Sequence, residues 1–362
     1  MRKLATIRTI AEVKAIEGAD AIEAVRVDGW WVVAKKDEFP VGTVVVYLEI
    51  DSWVPTELAP FLSKGHEPRE FEGVKGERLK TVKLRGQISQ GLILPLYDFA
   101  PTSPAVGAYH QTRPYVENEL FDVSEILNVR KYEPPVGAQL AGNARGNFPD
   151  WLRKTDQERI QNCFRTVEKE FDGYWVGEEK LDGSSMTVGA RLGDDGEVEV
   201  HVCSRNLSLK MDDANKDNSF IKAAHASNII PALISYANYK GDIALSGELI
   251  GEGIQGNRYK IKGQEWYIFD VFFVNERRYA TIAEREAVLA DLIALGADLK
   301  EVPKLYQRTL EDMTVDRFLS LAEGKTVFGS GAEREGIVWK RTNNGDLSFK
   351  AISNKFLMKG GE

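Results

Sequence analysis

The pair Asp28-Gly29 lies between two strand-like runs, residues 24–27 and 30–34, and constrains the fold more than any other local feature. An Asp-Gly pair accepts the positive φ angles that a two-residue hairpin turn demands, so the runs beside it are expected to pair as antiparallel strands. Other short runs follow. Residues 44–50 come after the turn-former Gly42, and residues 79–84 and 91–96 bracket a bend at Arg85-Gly86. Several short strands separated by glycine turns predict a small β-barrel over the first 130 or so residues. That barrel could bind oligonucleotides or serve only as a scaffold.

The composition then changes. Pro134-Pro135, Gly142-Asn143, Gly146-Asn147 and Pro149 read as a linker. The expected division is a barrel over residues 1–133, a linker over 134–149 and a second domain over 150–362. Thr155-Asp156-Gln157-Glu158 has the spacing of a capping box, with Thr155 capping a helix that runs through Ile160 towards Val167. From Tyr174 onwards strands alternate with helices. Residues 221–237 and 282–295 read as helices and 265–274 as a strand. The fold class expected is α+β. The two cysteines, Cys163 and Cys203, are too few for a disulfide framework or a zinc cage, which predicts a reducing, cytoplasmic setting. No apolar run follows the N-terminal charges, and no stretch approaches the length of a membrane span. The net charge of −8 weighs against a polyanion partner, but local clustering of charge decides that question.

The chemistry concentrates in Glu178-Glu179-Lys180-Leu181-Asp182-Gly183-Ser184-Ser185. By itself this is equally a surface turn with a solvated lysine. Five later segments add the groups that nucleotidyl transfer needs. Ser204-Arg205-Asn206 follows the strand-like His201-Val202-Cys203, and Ser246-Gly247-Glu248-Leu249 brings a carboxylate. Trp266-Tyr267-Ile268-Phe269-Asp270-Val271 is aromatic. Glu333-Arg334-Glu335-Gly336-Ile337-Val338-Trp339-Lys340 adds acid and base, and Leu347-Ser348-Phe349-Lys350 a final lysine. In this order the segments resemble the motifs of the covalent nucleotidyltransferase superfamily of ligases and RNA-capping enzymes, over roughly residues 150–355. The N-terminal part resembles the oligonucleotide-binding (OB) domain placed ahead of the catalytic domain in the Deinococcus and Naegleria class of ATP-dependent RNA ligases. Arg85-Gly86-Gln87-Ile88-Ser89-Gln90-Gly91-Leu92 and Val129-Arg130-Lys131-Tyr132-Glu133-Pro134-Pro135 carry that second likeness.

The resemblance implies an OB-type barrel followed by an adenylation domain of antiparallel sheets and flanking helices. It implies that Lys180 attacks the α-phosphorus of ATP and carries AMP, which passes to an RNA 5′-phosphate before a 3′-hydroxyl displaces it. A nick in a duplex is the implied substrate. Lys350 would contact the α-phosphate, and Arg205 the ribose or an end phosphate. Asp182, Glu248 and Glu335 would surround Mg²⁺ or Mn²⁺, with Glu248 alternatively gripping the ribose. Phe269 offers a face to adenine, Glu178 lies where the family contacts the adenine edge, and Gly183 and Lys340 complete the cofactor-binding set.

Each residue has a plainer reading: Phe269 as core, Asp270 as a structural acceptor, Arg205 and Lys350 as edge charges, and Glu335 as part of a turn. Superfamily members commonly carry Lys-x-Lys in the last motif, where this chain has Ser348-Phe349-Lys350, so Lys340, Arg341 or Lys355 is expected to supply the second charge. The chain runs about a dozen residues past Lys350, which leaves no second barrel and favours RNA ligase over DNA ligase or a GTP-using capping enzyme. A non-catalytic nucleic-acid-binding protein of the same fold is the alternative from another class. Trp30, Trp31 and Trp53 are candidates to stack on bases, and Lys80, Lys83 and Arg85 to meet phosphates.

Overall fold

The computed structural model describes residues 2–96, 121–133 and 142–359. Pro134 and Pro135 of the expected linker lie outside them. The chain divides into two compact units, Met1–Pro135 with Gln161–Thr166, and Val136–Ile160 with Val167–Glu362.

In the first unit β1 (Ala5–Ala15) is the organising strand. A register shift between Ile10 and Glu12 lets its two halves serve different partners. The second half pairs with β2 (Ile22–Val27), which pairs with β3 (Trp30–Lys35). Val27 faces Trp30, so Asp28-Gly29 is the two-residue turn expected, with Asp28 at φ 50°. The first half of β1 pairs with β4 (Val44–Leu48). Val45, Val46, Tyr47 and Leu48 are wholly buried on both faces of this central strand.

The run 79–84 departs from expectation. Only β5 (Val82–Leu84) is strand, and it pairs with β6 (Gln87–Ser89), which the sequence presents as part of a bend. Arg85 and Gly86 form that hairpin's turn, both with positive φ. β7 (Leu92–Pro95) pairs instead with β4. Trp30 and Trp53 are core residues, their indole N–H groups donated to Asn162 and to the Val74 carbonyl. This removes both as base-stacking platforms. Trp31 keeps a partly exposed ring, with Lys14 Nζ 4.4 Å from its centroid.

The second unit is built on two sheets. The smaller has the order β8 (Glu158–Arg159), β16 (Asn344–Ile352), β15 (Gly336–Arg341), β9 (Trp175–Lys180) and β14 (Lys304–Arg308). At the centre of the larger, β10 (Ser184–Leu192) lies between β11 (Val198–Cys203) and β12 (Ile243–Gly251), and β12 pairs with β13 (Gln264–Phe273).

The expected capping box at Thr155–Glu158 does not form. Glu158 and Arg159 join the sheet beside Phe349 and Lys350, and α1 (Ile160–Val167) begins only after them. Strand pairing has captured the backbone that the cap was to organise. The expected helix over 221–237 is two helices, α2 (Ser219–Ala226) and α3 (Ile229–Lys240). They break at Asn228, whose φ of 51° no helix accommodates and whose side chain donates to the Gly296 carbonyl. α4 (Ile282–Ala294) follows its expected span and carries a capping box between Thr281 and Glu284. Helices α2, α3 and α4 bury apolar residues in one cluster with the larger sheet, such as Leu233 and Leu292 beside Val188 and Leu245. α5 (Val315–Ala322) covers the smaller sheet through Phe318, 5.1 Å from the Phe349 ring. Truncating so deeply buried an aromatic to alanine costs about 3–5 kcal/mol.

Candidate active site

Lys180 is the last residue of β9, and the chain turns through Leu181, Asp182 and Gly183 directly into β10. The turn is fixed from several sides. Leu181 is buried against Ile250, Tyr259 and Val302. The Asp182 N–H donates to the Tyr259 hydroxyl at 2.6 Å, and its carboxylate pairs with Arg258 at 3.0 Å. A Cβ on Gly183 would lie 2.3 Å from the Leu249 carbonyl oxygen, so the turn admits only glycine at this close approach. The Gly183 N–H instead donates to Glu248 Oε1 at 3.0 Å.

At this end of the pocket the acids outnumber the cations. Lys180 Nζ donates to Glu335 Oε1 at 2.6 Å, and Glu248 and Asp182 add to the negative field. Burial opposes charge on Lys180, but these three carboxylates hold its pKa above the ordinary lysine value. Burial pushes the Glu248 carboxyl up to about 8, against the pull of Lys180 and with repulsion from Glu335 and Asp182. Glu335 is raised in the same way, by burial first. Among the described residues no three acidic, histidine or cysteine side chains are arranged as a metal cage. Glu335 bonds the Lys180 ammonium directly, and Glu248 and Asp182 act on it through their field.

At the opposite end two cations and three carboxylates form a directly bonded network, in which burial still raises the Asp270 carboxyl above its usual range. Ser246 pairs with Asp270 and Gly247 with Ile268, so Phe269 is the extra residue of a β-bulge in β13. Its carbonyl is thereby released from the ladder and accepts from both Arg285 and Lys340. Arg285, on α4 and fully buried, also donates to both Glu178 oxygens and to Glu301 at 3.0 Å. Lys340 donates to Asp270 at 2.5 Å and lies 3.4 Å from Glu178. Burial would raise the Glu178 pKa, but Lys340 and Arg285 outweigh it and keep the carboxylate below its usual range. Phe269 and Val338 line the same pocket from the two sheets.

Along the remaining wall stand Arg205, in the turn after β11, and Lys350, on β16 beside Arg159. Asp156 faces both, 3.4 Å from Lys350 Nζ and 3.7 Å from Arg205.

Residues 173–352 match a family model described as RNA ligase, and residues 4–96 match one described as an OB-fold domain. Three solved structures of Naegleria gruberi RNA ligase are similar over essentially the whole chain. One is a lysine-to-alanine variant without ligand, 39% identical with a TM-score of 0.86, covering 100% of both chains. Another lysine-to-alanine variant, with ATP and Mn, is 40% identical with a TM-score of 0.84, covering 99% of this chain and 100% of that one. The third is a glutamate-to-alanine variant with AMP and Mn, 40% identical with a TM-score of 0.85 and full coverage of both chains. The chain belongs to the RNA ligase family. Comparison with curated proteins gives no match.

Of the residues the ligase sequence marks, Lys180, Glu178, Arg205, Glu248, Phe269, Lys340 and Lys350 all line one pocket. Asp182, Gly183 and Glu335 stand immediately behind it, bonded to Arg258, Glu248 and Lys180 respectively. The three substitutes for the missing lysine are separated. Lys340 lies across the ladder from Ser348 but is committed to Asp270 and Phe269, while Arg341 bonds the Glu170 carbonyl and Lys355 pairs with Glu323 on the surface. Sequence reasoning missed Arg285, Arg258, Tyr259 and Asp156. An arginine in an amphipathic helix carries no sign that it will be buried. Asp156 had been assigned to a helix start.

Proposed function

We propose that Lys180 attacks the α-phosphorus of ATP, forming the N–P bond as pyrophosphate leaves, and so stores AMP on its side chain. The AMP then moves to an RNA 5′-phosphate, and an RNA 3′-hydroxyl displaces it to make the phosphodiester. The observation that carries this reading is the Lys180 ammonium, 2.6 Å from Glu335 and at the acid-rich end of a pocket with an aromatic face at the other.

A protonated lysine has no lone pair to offer, so Nζ must lose its proton first. Glu335 already accepts its hydrogen bond, and a carboxyl raised by burial is suited to receiving that proton. Asp182, Glu248 and Glu335 are the residues that would hold Mg²⁺ or Mn²⁺. Their oxygen donors suit such a cation; burial is the chief cause of the raised Glu248 carboxyl, and the repulsion from Glu335 and Asp182 that adds to it is what a cation relieves. A bound divalent cation supplies charge neutralisation for the phosphate and favours neutral lysine. Lys350 and Arg205 hold phosphate oxygens, Phe269 stacks on adenine, and Glu178 faces the base.

The proposed division is an OB-like domain over residues 1–133, a linker over 134–149 and an adenylation domain over 150–362, with Ala144–Asn147 already paired to Leu207–Leu209 in the larger sheet and Gln161–Thr166 grouped with the first unit. The partner is RNA or a duplex containing RNA, with a nick the favoured substrate. No helix among the described residues is long and apolar enough to cross a membrane. The free thiols of Cys163 and Cys203 suit a reducing cytoplasm. Sealing of one duplex nick carrying either an RNA or a DNA 3′-hydroxyl tests the substrate. Faster joining of the RNA end is expected, and equal or faster joining of the DNA end would overturn it.

A further inference from the structure

Lys350 lies on the smaller sheet of the ligase unit and Arg205 in a turn of the larger, yet both face one carboxylate. Asp156 presents Oδ1 to Lys350 and Oδ2 to Arg205, the two-oxygen arrangement that a phosphate would offer the same pair. We propose that Asp156 is an internal anion that occupies these two cations until phosphate displaces it, and that it thereby sets the affinity for ATP. The inference rests on the reading of Lys350 and Arg205 as phosphate-binding residues.

Three features of the site support it. Thr155, Asp156 and Gln157 all line the pocket that holds Lys180, so the carboxylate lies where the cofactor must pass. The contacts, at 3.4 and 3.7 Å, are looser than the 2.6 Å pair of Lys180 with Glu335, and the Asp156 side chain is 39% exposed. A carboxylate so placed swings into water with little desolvation change, whereas an incoming phosphate gains both cations. Third, Arg159 and Lys350 are register partners in the parallel pair of β8 and β16, which tethers the Asp156 segment three residues away. Displaced, Asp156 stays within reach and returns when phosphate leaves. Between turnovers it also offsets the mutual repulsion of two cations in a confined pocket.

Asp156 acts through Lys350 and Arg205 and is a positioning residue. The test uses the full chain, with the self-adenylylation step followed against ATP. Asp156→Asn should lower the KM for ATP by about three- to tenfold, the range for loss of two partly screened competing pairs. Asp156→Glu, which keeps the charge, should stay near the unaltered chain. In a Lys350→Ala background, Asp156→Asn should shift the ATP affinity, read by fluorescence titration, by less than about half as much. An unchanged or raised KM in Asp156→Asn would overturn the inference. A purely structural role would lower the melting temperature of the Asn and Glu variants together and leave the KM shift absent, which also overturns it. Label on Lys180 in the unaltered chain is scored separately, so failure of the underlying reading is distinguishable.

Discussion

The two ends of the ligase pocket are both clusters of buried charge with three carboxylates and two cations, and they differ in how densely those charges are bonded to one another. At the base end Arg285 and Lys340 are matched by Glu178, Asp270 and Glu301, and the freed carbonyl of Phe269 takes up remaining donors. At the lysine end Lys180 bonds Glu335 and Arg258 bonds Asp182, while Glu248, held by the Gly183 N–H, is raised to about 8, chiefly by burial. A densely bonded network fixes geometry, whereas a sparsely bonded one stores a demand for a cation or a proton. The first holds the two sheets at a set spacing around Phe269. The second is poised to change protonation state.

If this distinction holds, removing an acid from the lysine end should harm chemistry and spare the fold. Glu335→Ala should lower self-adenylylation by about 100-fold or more, as loss of a preorganised charge at a reacting centre commonly does. Its melting temperature should change little, because Glu248 and Asp182 still compensate Lys180 and relief of their repulsion with Glu335 offsets the lost pair. A large drop in melting temperature with activity retained would break the comparison. The converse applies to Arg285→Met. Removing Arg285 leaves buried Glu178 with Lys340 as its remaining cation and strips Glu301 of its pair, which costs about 3–5 kcal/mol of stability by denaturant unfolding. A loss below about 1 kcal/mol would show that the base-end network is not structural.

A smaller effect comes from pH. Glu248 is protonated below about 8, and a divalent cation needs its ionised form. Mn²⁺ affinity should therefore weaken by up to about tenfold per pH unit as pH falls below 8, and level off above it. Titration calorimetry from pH 6.5 to 9 measures this, and a flat profile would contradict the raised Glu248 carboxyl at the lysine end. The smallest effect expected is in Phe269→Leu, which keeps apolar volume but loses the ring face. The KM for ATP should rise by about three- to tenfold, the worth of one stacked pair.

The site was legible in sequence where a motif residue's role depends on its own strand. Lys180, Glu248, Phe269 and Lys350 each lie on or beside an apolar run whose pairing follows from pattern, and the fold brings those runs to one pocket. The hairpin at Asp28-Gly29 was legible because its turn chemistry is local. What failed depends on tertiary competition. Thr155–Glu158 has the letters of a capping box, but pairing with Phe349 and Lys350 takes its backbone, which turned Asp156 from a helix-start residue into a pocket residue. The break at Asn228 exists because Gly296, distant in sequence, accepts its side chain. The bulge that frees the Phe269 carbonyl, and the arginine that fills it, follow from a one-residue register mismatch that no single strand records.

The account turns on Lys180 as the residue that receives AMP. Incubation of the full chain with ATP labelled at the α-phosphate and Mn²⁺, followed by denaturation and peptide mapping, reads this directly. Label should remain on the protein, map to the peptide containing Lys180, and be absent from Lys180→Ala. Label that survives the substitution, or that maps to another lysine such as Lys340 or Lys350, would contradict the account.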